Sequence, residues 1–120
     1  MQNILVWAKD NKVMNHYYMG QTEFILLFRK GGAKDINDMG TSNFIQIPNI
    51  KNKLHPTQKP VDLMKILIEN SSNENDIVMD CFCGSGSTGV ACLETGRKFY
   101  GCEIDKKYYD IAVERIQNIE

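Results

Sequence analysis

Short apolar runs in the first half of the chain predict strands. The runs 4–7 and 23–29 are rich in β-branched and aromatic residues, as is typical of buried strands. Between them, residues 10–21 are polar and aromatic, and asparagines and a glycine interrupt the segment. The pattern therefore predicts two buried strands joined by a polar connection.

A long segment without sustained periodicity follows the second of these strands. Residues 31–54 hold Gly, Asn, Asp, Ser and one Pro, and only the stretch 44–47 has the character of a short strand. We interpret the segment as a long loop, and loops of this length inside a compact domain are usually functional or mobile.

From residue 60 onward the spacing becomes helical. Pro60 suits a first helical position, and Asp62 in the first turn is favoured by the helix dipole. An apolar stripe at helical spacing follows. It consists of Leu63, Met64, Leu67 and Ile68.

Two further strands and two further helices complete the second half. A strand at 77–79 leads into the glycine-rich turn 84–89, and a helix then ends at Gly96. The next strand covers 99–102, and Asp105 caps a last helix. One face of that helix carries Tyr108, Ala112, Ile116 and Ile119. This order predicts the α/β class, as part of a doubly wound, Rossmann-like sheet.

Composition and length indicate a single domain spanning residues 1–120, and they exclude disordered and collagen-like chains. The chain is 42% hydrophobic and 24% charged. Its longest apolar runs, 4–8 and 24–28, are far below the ~18 residues of a membrane span. The first residues lack a basic leader, and four cysteines without a secretion signal favour reduced thiols. We therefore expect a cytoplasmic protein with no membrane partner.

Charge is divided unevenly along the chain. Residues 1–59 carry eight lysines and arginines against four acidic residues, whereas residues 60–120 carry six against eleven. A basic half is compatible with nucleic-acid binding, and two differently solvated faces explain the asymmetry equally well.

The glycine-rich turn indicates a nucleoside ligand. Gly84, Gly86 and Gly89 fit the spacing G-x-G-x-x-G, and Glu103 follows Gly84 by nineteen residues, where a carboxylate can accept ribose hydroxyls. No lysine follows, which excludes the phosphate-binding P-loop. NAD and S-adenosylmethionine both suit this pattern, and a tight turn beside a carboxylate is the structural alternative.

Longer motifs resemble the permuted β group of amino-methylating DNA methyltransferases. Residues 80–89, D-C-F-C-G-S-G-S-T-G, are similar to its D-P-F-x-G-S-G-T-T motif, and residues 55–60 match its H-P-T-Q-K-P block. Residues 101–105, G-C-E-I-D, resemble its next motif, and residues 6–9 and 23–26 resemble its W-x-K and E-F-I-L strands. The resemblance covers nearly the whole chain except the loop at 31–54, which we divide from a strand pair at 1–30 and cofactor-binding units at 55–120.

The resemblance implies S-adenosylmethionine as cofactor. It places the cofactor over the glycine turn, Glu103 on the ribose, Phe82 beside the cofactor and the 57–59 segment at its methionine end. The implied cofactor-binding residues are Thr57, Lys59, Asp80, Phe82, Gly84, Ser85, Gly86 and Glu103. Cys81 stands where the family has Pro, and both residues keep the turn.

The reaction implied is methyl transfer to adenine N6 or cytosine N4 of a base flipped out of DNA, as in restriction-modification. The family's catalytic [Asp/Asn/Ser]-Pro-Pro-[Tyr/Phe/Trp] loop has no match, because Pro48, Pro56 and Pro60 are not adjacent. We assign no catalytic residue. The chain resembles the carboxy-terminal portion of such an enzyme, and the isolated chain is expected to be inactive.

Two alternatives remain open. The chain is either an inactive truncated product or complementing subunit, or it is an NAD-binding domain. The NAD-binding interpretation does not explain the block at residues 55–60. In the family's sheet, the strands at 77–79 and 23–29 each adjoin a strand that these residues do not supply. Their unpaired edges can pair with each other within one chain, if the loop at 31–54 lets the first two strands shift, or with a strand of another chain. We expect pairing with another chain, either a separate catalytic half or a second copy, and the resemblance implies DNA as a further partner.

The other candidate residues have ordinary structural interpretations. The spacing of Cys81, Cys83, Cys92 and Cys102 does not match a zinc site, so we expect no metal. Tyr17 and Tyr18 are expected to pack on the sheet, with base stacking as the alternative. Lysines border the long loop, where phosphate contact and simple solvation are both open.

Overall fold

The computed structural model describes residues 1–119, whose strands and helices are divided between two compact units, Met1–Asn49 and Ile50–Glu120. The α/β class expected from the sequence is confirmed. The division of the chain at residues 30 and 54 stays a prediction.

The first unit is a three-stranded sheet. Strand β1 (Asn3–Val13) pairs antiparallel with β2 (Gly20–Leu27) and parallel with β3 (Phe44–Gln46), so the order is β2-β1-β3. Trp7 is buried, and its Nε1 donates a hydrogen bond to the carbonyl oxygen of Ile47 at 2.8 Å. The short strand predicted within 44–47 is therefore confirmed, and the residue after it accepts the hydrogen bond of the buried Trp7 ring.

The connection between β1 and β2 is shorter than the sequence predicts. The two strands extend into the polar segment until Val13 faces Gly20, after a register irregularity beyond Ala8. The pair Val13–Gly20 carries the ladder past the local turn-forming residues. Tyr17 and Tyr18, at the tip, are 89% and 93% exposed. The expectation that they pack on the sheet is wrong, because the tip projects beyond the paired strands.

The second unit is a strand–helix–strand unit with two more helices. Parallel strands β4 (Ile77–Asp80) and β5 (Lys98–Gly101) are joined through α2 (Ser87–Glu94). Helix α1 (Val61–Ser71) precedes them and α3 (Lys106–Gln117) follows, and α2 packs against both helices. The predicted strand, glycine turn, helix, strand and helix are confirmed in that order, with strand ends within one residue of those expected.

The core of this unit lies between α1, α2 and the two strands. Ile68, Ala91 and Cys92 are buried at its centre. Partly buried apolar side chains surround them: Val61, Met64, Val78 and Phe99. The predicted stripe on α1 is thus largely confirmed, with Leu63 and Ile68 fully buried.

Two helix starts test the capping rules. Asp105 caps α3 as predicted, and its side chain accepts hydrogen bonds from the amides of Lys107 and Tyr108. Pro60 is not the first helical residue: it has extended backbone with ψ of 137° and lies at the N-cap, so α1 begins at Val61. Proline's fixed φ is compatible with both positions, and here ψ decides between them. Among residues 1–119, no helix is long and apolar enough to cross a membrane.

Candidate cofactor site

A cleft of about 330 Å³ lies at the carboxyl ends of β4 and β5. Ligands of open α/β sheets bind at this edge, because helix amino termini and loops converge there. Its walls are the 55–59 segment, the end of β4, the glycine turn and Glu103. All of these belong to the second unit.

The glycine turn has a left-handed backbone at two positions. Gly84 has φ of 53° and Gly86 has φ of 85°, backbone angles that residues other than glycine rarely adopt. Gly86 is also in close contact with α3, since a Cβ on it would lie 2.9 Å from the Cβ of Ala112. The Gly86 amide donates to the carbonyl oxygen of Cys83 at 2.8 Å, which closes the turn ahead of α2.

Glu103 connects this turn to the end of β5. Its Oε2 accepts a hydrogen bond from the Gly84 amide at 2.8 Å, and its Oε1 accepts one from the Asp105 amide at 3.0 Å. A carboxylate has about four lone-pair positions, so each oxygen can accept a further donor from the cleft. Glu103 can therefore stabilise the turn and bind a ligand hydroxyl at the same time.

Asp80 occupies the corresponding place at the end of β4. Its Oδ1 accepts from the Phe82 amide at 3.0 Å, and its Oδ2 accepts from Thr88 Oγ1 at 2.6 Å. These bonds fix the carboxylate beside the turn. Phe82 itself is 92% exposed, so its ring forms an uncovered apolar wall at the mouth of the cleft.

The 55–59 segment forms a tight turn over the cleft. His55 Nδ1 lies 3.1 Å from both the amide and Oγ1 of Thr57, and its ring packs against Tyr108 with centroids 4.1 Å apart. The Gln58 amide donates to the carbonyl oxygen of His55, while its side-chain oxygen accepts from Leu54. These contacts indicate that His55 shapes this turn.

Arg115 supports the glycine turn from α3. Its Nη1 donates to the carbonyl oxygen of Ser85 at 2.6 Å and lies 3.1 Å from Ser85 Oγ and 3.4 Å from Ser87 Oγ. Burial lowers the pKa of the Arg115 guanidinium from its ordinary value. Both serines are buried and line the cleft, and Arg115 bonds to their polar atoms although it does not line the cleft itself.

Two cysteines, Cys83 of the cleft and Cys92 of the core, have thiol pKa values above the ordinary one. Burial raises the pKa of Cys92 to about 11. Burial also raises the pKa of Cys83, and the negative charges of Asp80 and Glu103 add to the effect. Within residues 1–119, no group of three His, Cys, Asp or Glu side chains is arranged to hold a metal ion.

The structure brings together most of the residues singled out from the sequence. The following line the cleft: Thr57, Lys59, Asp80, Phe82, Gly84, Ser85 and Glu103. Gly86 is at the N-cap of α2 and acts on the shape of the turn instead. The cleft is also lined by residues that were not predicted to bind the cofactor: His55, Gln58, Met64, Cys83, Ser87 and Thr88. Of these, only Met64 lies outside the matched block and the glycine motif.

The chain is similar to known DNA methylases along almost its entire length. The profile of the DNA methylase family (N6_N4_Mtase) matches residues 1–114. The type II methyltransferase M2.LlaDCHI of Lactococcus lactis subsp. cremoris is 37% identical, over 93% of this chain and 40% of its own length. The DNA adenine methyltransferase YhdJ of Escherichia coli (strain K12) is 48% identical, over 94% of this chain and 43% of its own length.

A solved structure shows the same likeness in three dimensions. The crystal structure of the M1.HpyAVI–SAM complex superposes with a TM-score of 0.80 at 36% identity, over 95% of this chain and 61% of that one. The chain spans about 40% of the length of the first curated relative above. On the match of residues 1–114, the chain belongs to the N6/N4 DNA methylase family.

Proposed function

We propose that this chain is the cofactor-binding part of a DNA methyltransferase, and that its cleft binds S-adenosylmethionine. The methyl group would be transferred to the exocyclic amine of adenine (N6) or cytosine (N4) in DNA. The observation that carries the proposal is the Glu103 carboxylate bonded to the Gly84 amide at the carboxyl ends of two parallel strands. Membership of the DNA methylase family supports this choice over a nicotinamide ligand.

The chemistry of the cleft fits this cofactor. Glu103 has acceptor capacity left for two ribose hydroxyls. Asp80 supplies a second carboxylate, which suits the positive charges of a sulfonium and an ammonium group. The exposed ring of Phe82 offers an apolar surface for a planar base. Thr57 and Lys59 also line the cleft, and we place the methionine end beside them.

When bound, the cofactor supplies an activated methyl group. The residues of this chain would orient that group, and the glycine turn allows close approach of its backbone. No residue here is proposed to bind the target amine. Such a role requires acceptors and a stacking aromatic that the family's proline-pair loop supplies, and the 120 residues hold no adjacent prolines.

We further propose that DNA methylation requires a second chain, either a separate catalytic half or a second copy. Strand β4 has β5 on one edge and no strand on the other within residues 1–119, and β2 likewise has only β1. Ile77 of β4 and Phe24 of β2 are each 72% exposed. An apolar groove also runs between α1 and β4, lined by side chains such as Leu67 and Val78. Unpaired strands beside apolar surface favour β-pairing with another chain.

Calorimetric titration of the 120-residue chain tests the cofactor. S-adenosylmethionine and NADH should be added in parallel to the wild type and to Glu103→Ala. We expect saturable heat with S-adenosylmethionine, weakened by the substitution, and none with NADH. Binding of NADH alone would overturn the proposal, as would wild-type binding of neither compound.

A further inference from the structure

One face of helix α3 contacts several of the elements that form the cleft. Tyr108 packs against His55 of the segment above the cleft, and Ala112 lies directly beneath Gly86. Arg115 follows Ala112 by three residues, so it points from the same face of the helix. The cleft therefore rests on α3, although no residue of α3 lines it.

Arg115 forms hydrogen bonds from this face of α3 to the glycine turn. Its guanidinium meets the carbonyl oxygen of Ser85 and the hydroxyls of Ser85 and Ser87. Other bonds of the turn join the amide of Gly84 to Glu103, the amide of Gly86 to the carbonyl of Cys83, and the hydroxyl of Thr88 to Asp80. Arg115 thus bonds to the serines of the turn, which these other bonds do not involve.

Loss of the guanidinium would leave buried acceptors unsatisfied. A buried carbonyl without its donor costs a substantial part of its desolvation free energy, so the turn would rotate to reach water. The Ser85 carbonyl belongs to the same planar peptide as the Gly86 amide, so its rotation moves that amide directly and, through the two preceding peptides of the turn, displaces the Gly84 amide. Those amides determine the shape of the surface that faces the cofactor.

We infer that Arg115 is a positioning residue for the cofactor site: from outside the cleft, it fixes the glycine turn in the conformation that binds the nucleoside. For its ligand, this inference rests on the proposed function. The position of the turn can also be measured without any cofactor.

Arg97 provides a matched control. Its Nη1 donates to the carbonyl oxygen of Thr95 at 2.6 Å, and its other nitrogens bond to Ser72 Oγ and the Ser72 carbonyl oxygen. Like Arg115, it is partly buried and binds backbone oxygen between elements. It lies before β5, at the opposite end of the strands from the cleft.

The experiment compares Arg115→Met, Arg115→Lys and Arg97→Met in the full 120-residue chain. Chemical unfolding measures stability, amide hydrogen exchange by NMR measures the order of the turn, and calorimetry measures S-adenosylmethionine binding. We expect both methionine variants to lose stability. Only Arg115→Met should speed exchange at the Gly84 and Gly86 amides and weaken cofactor binding about tenfold, the usual scale for loss of outer support at a site. In Arg115→Lys, both the amide exchange rates and the cofactor affinity should lie between those of Arg115→Met and wild type.

Specific outcomes would overturn the inference. Unchanged exchange at the two glycine amides in Arg115→Met is one, and equal loss of cofactor affinity in Arg97→Met is another. If Arg115→Met does not fold, Arg115→Lys decides: the lysine ammonium lies one bond closer to the helix backbone than Nη1, so it reaches the Ser85 carbonyl less well and exchange should still rise; unchanged exchange there contradicts the inference. If wild type binds no S-adenosylmethionine while Arg115→Met loosens the turn, the proposed function fails and the positioning role stands.

Discussion

Glu103 and Gly84 are joined by a hydrogen bond of 2.8 Å between the carboxylate Oε2 and the backbone amide, across nineteen residues of sequence. The pairing of β4 with β5 brings these positions together, because the parallel strands end side by side. The acidic residue proposed to bind a ribose is therefore also a structural part of the turn. Substitutions of Glu103 should affect both properties.

Glu103→Ala is predicted to weaken S-adenosylmethionine binding by about 1–3 kcal/mol, since hydrogen bonds to a charged acceptor are lost. Glu103→Gln should also weaken binding, because its amide group would face a backbone N–H donor. Calorimetry measures both effects. Asp110→Ala removes an exposed carboxylate of α3 and is the control expected to bind normally. Unchanged affinity in Glu103→Ala would exclude Glu103 from the ligand site.

The 120-residue chain alone is predicted to transfer no methyl group to DNA. Its cleft can orient a cofactor, but its sequence holds no match to the proline-pair loop by which the family holds the target amine and stacks the flipped base. Transfer of radiolabelled methyl groups to DNA is the measurement, with heat-inactivated protein as the control. Incorporation above that control would contradict the prediction and would require an acceptor that differs from the family's loop.

The unpaired edges of β2 and β4 predict self-association when no other partner is present. Light scattering over a concentration series should show a mass that rises to that of a dimer by tens of micromolar, approximately the range of weak edge pairing. Ile77→Lys and Phe24→Lys should reduce the dimer, because each places a charge on an exposed apolar edge. Tyr109→Lys changes an exposed side chain of α3 and is the control. A monomeric mass at every concentration would argue against a second copy.

Gly86→Ala is predicted to destabilise the chain by about 1–3 kcal/mol, the cost of a strained left-handed residue. The added methyl would also meet the Cβ of Ala112 at 2.9 Å. Gly32→Ala is the matched control, since a Cβ there meets nothing within 4 Å and its φ is not positive. Urea unfolding at constant pH compares the two variants. Equal midpoints for the two would show that the turn relaxes without cost.

Local patterns accounted for the order of elements in the second unit. The stripe on α1, the cap at Asp105 and the glycines of the turn are each defined by residues a few positions apart. Each can therefore be recognised from a short stretch of sequence, without knowledge of the fold. The turn and Glu103 could also be paired from sequence, because a strand–helix–strand unit sets their spacing. These features sufficed to predict the fold class and most of the cleft.

Tertiary structure decided what lies across the elements. Helical spacing marked Tyr108 and Ala112 as one face of α3, but only the packing shows that this face supports His55 and Gly86. The bonds from Arg115 to Ser85 span thirty residues. The exposure of Tyr17 likewise depends on how far β1 and β2 remain paired. Sequence periodicity reports which way a side chain faces, whereas its partner is set by the path of the whole chain, and that path is decided by burial and backbone pairing between distant segments.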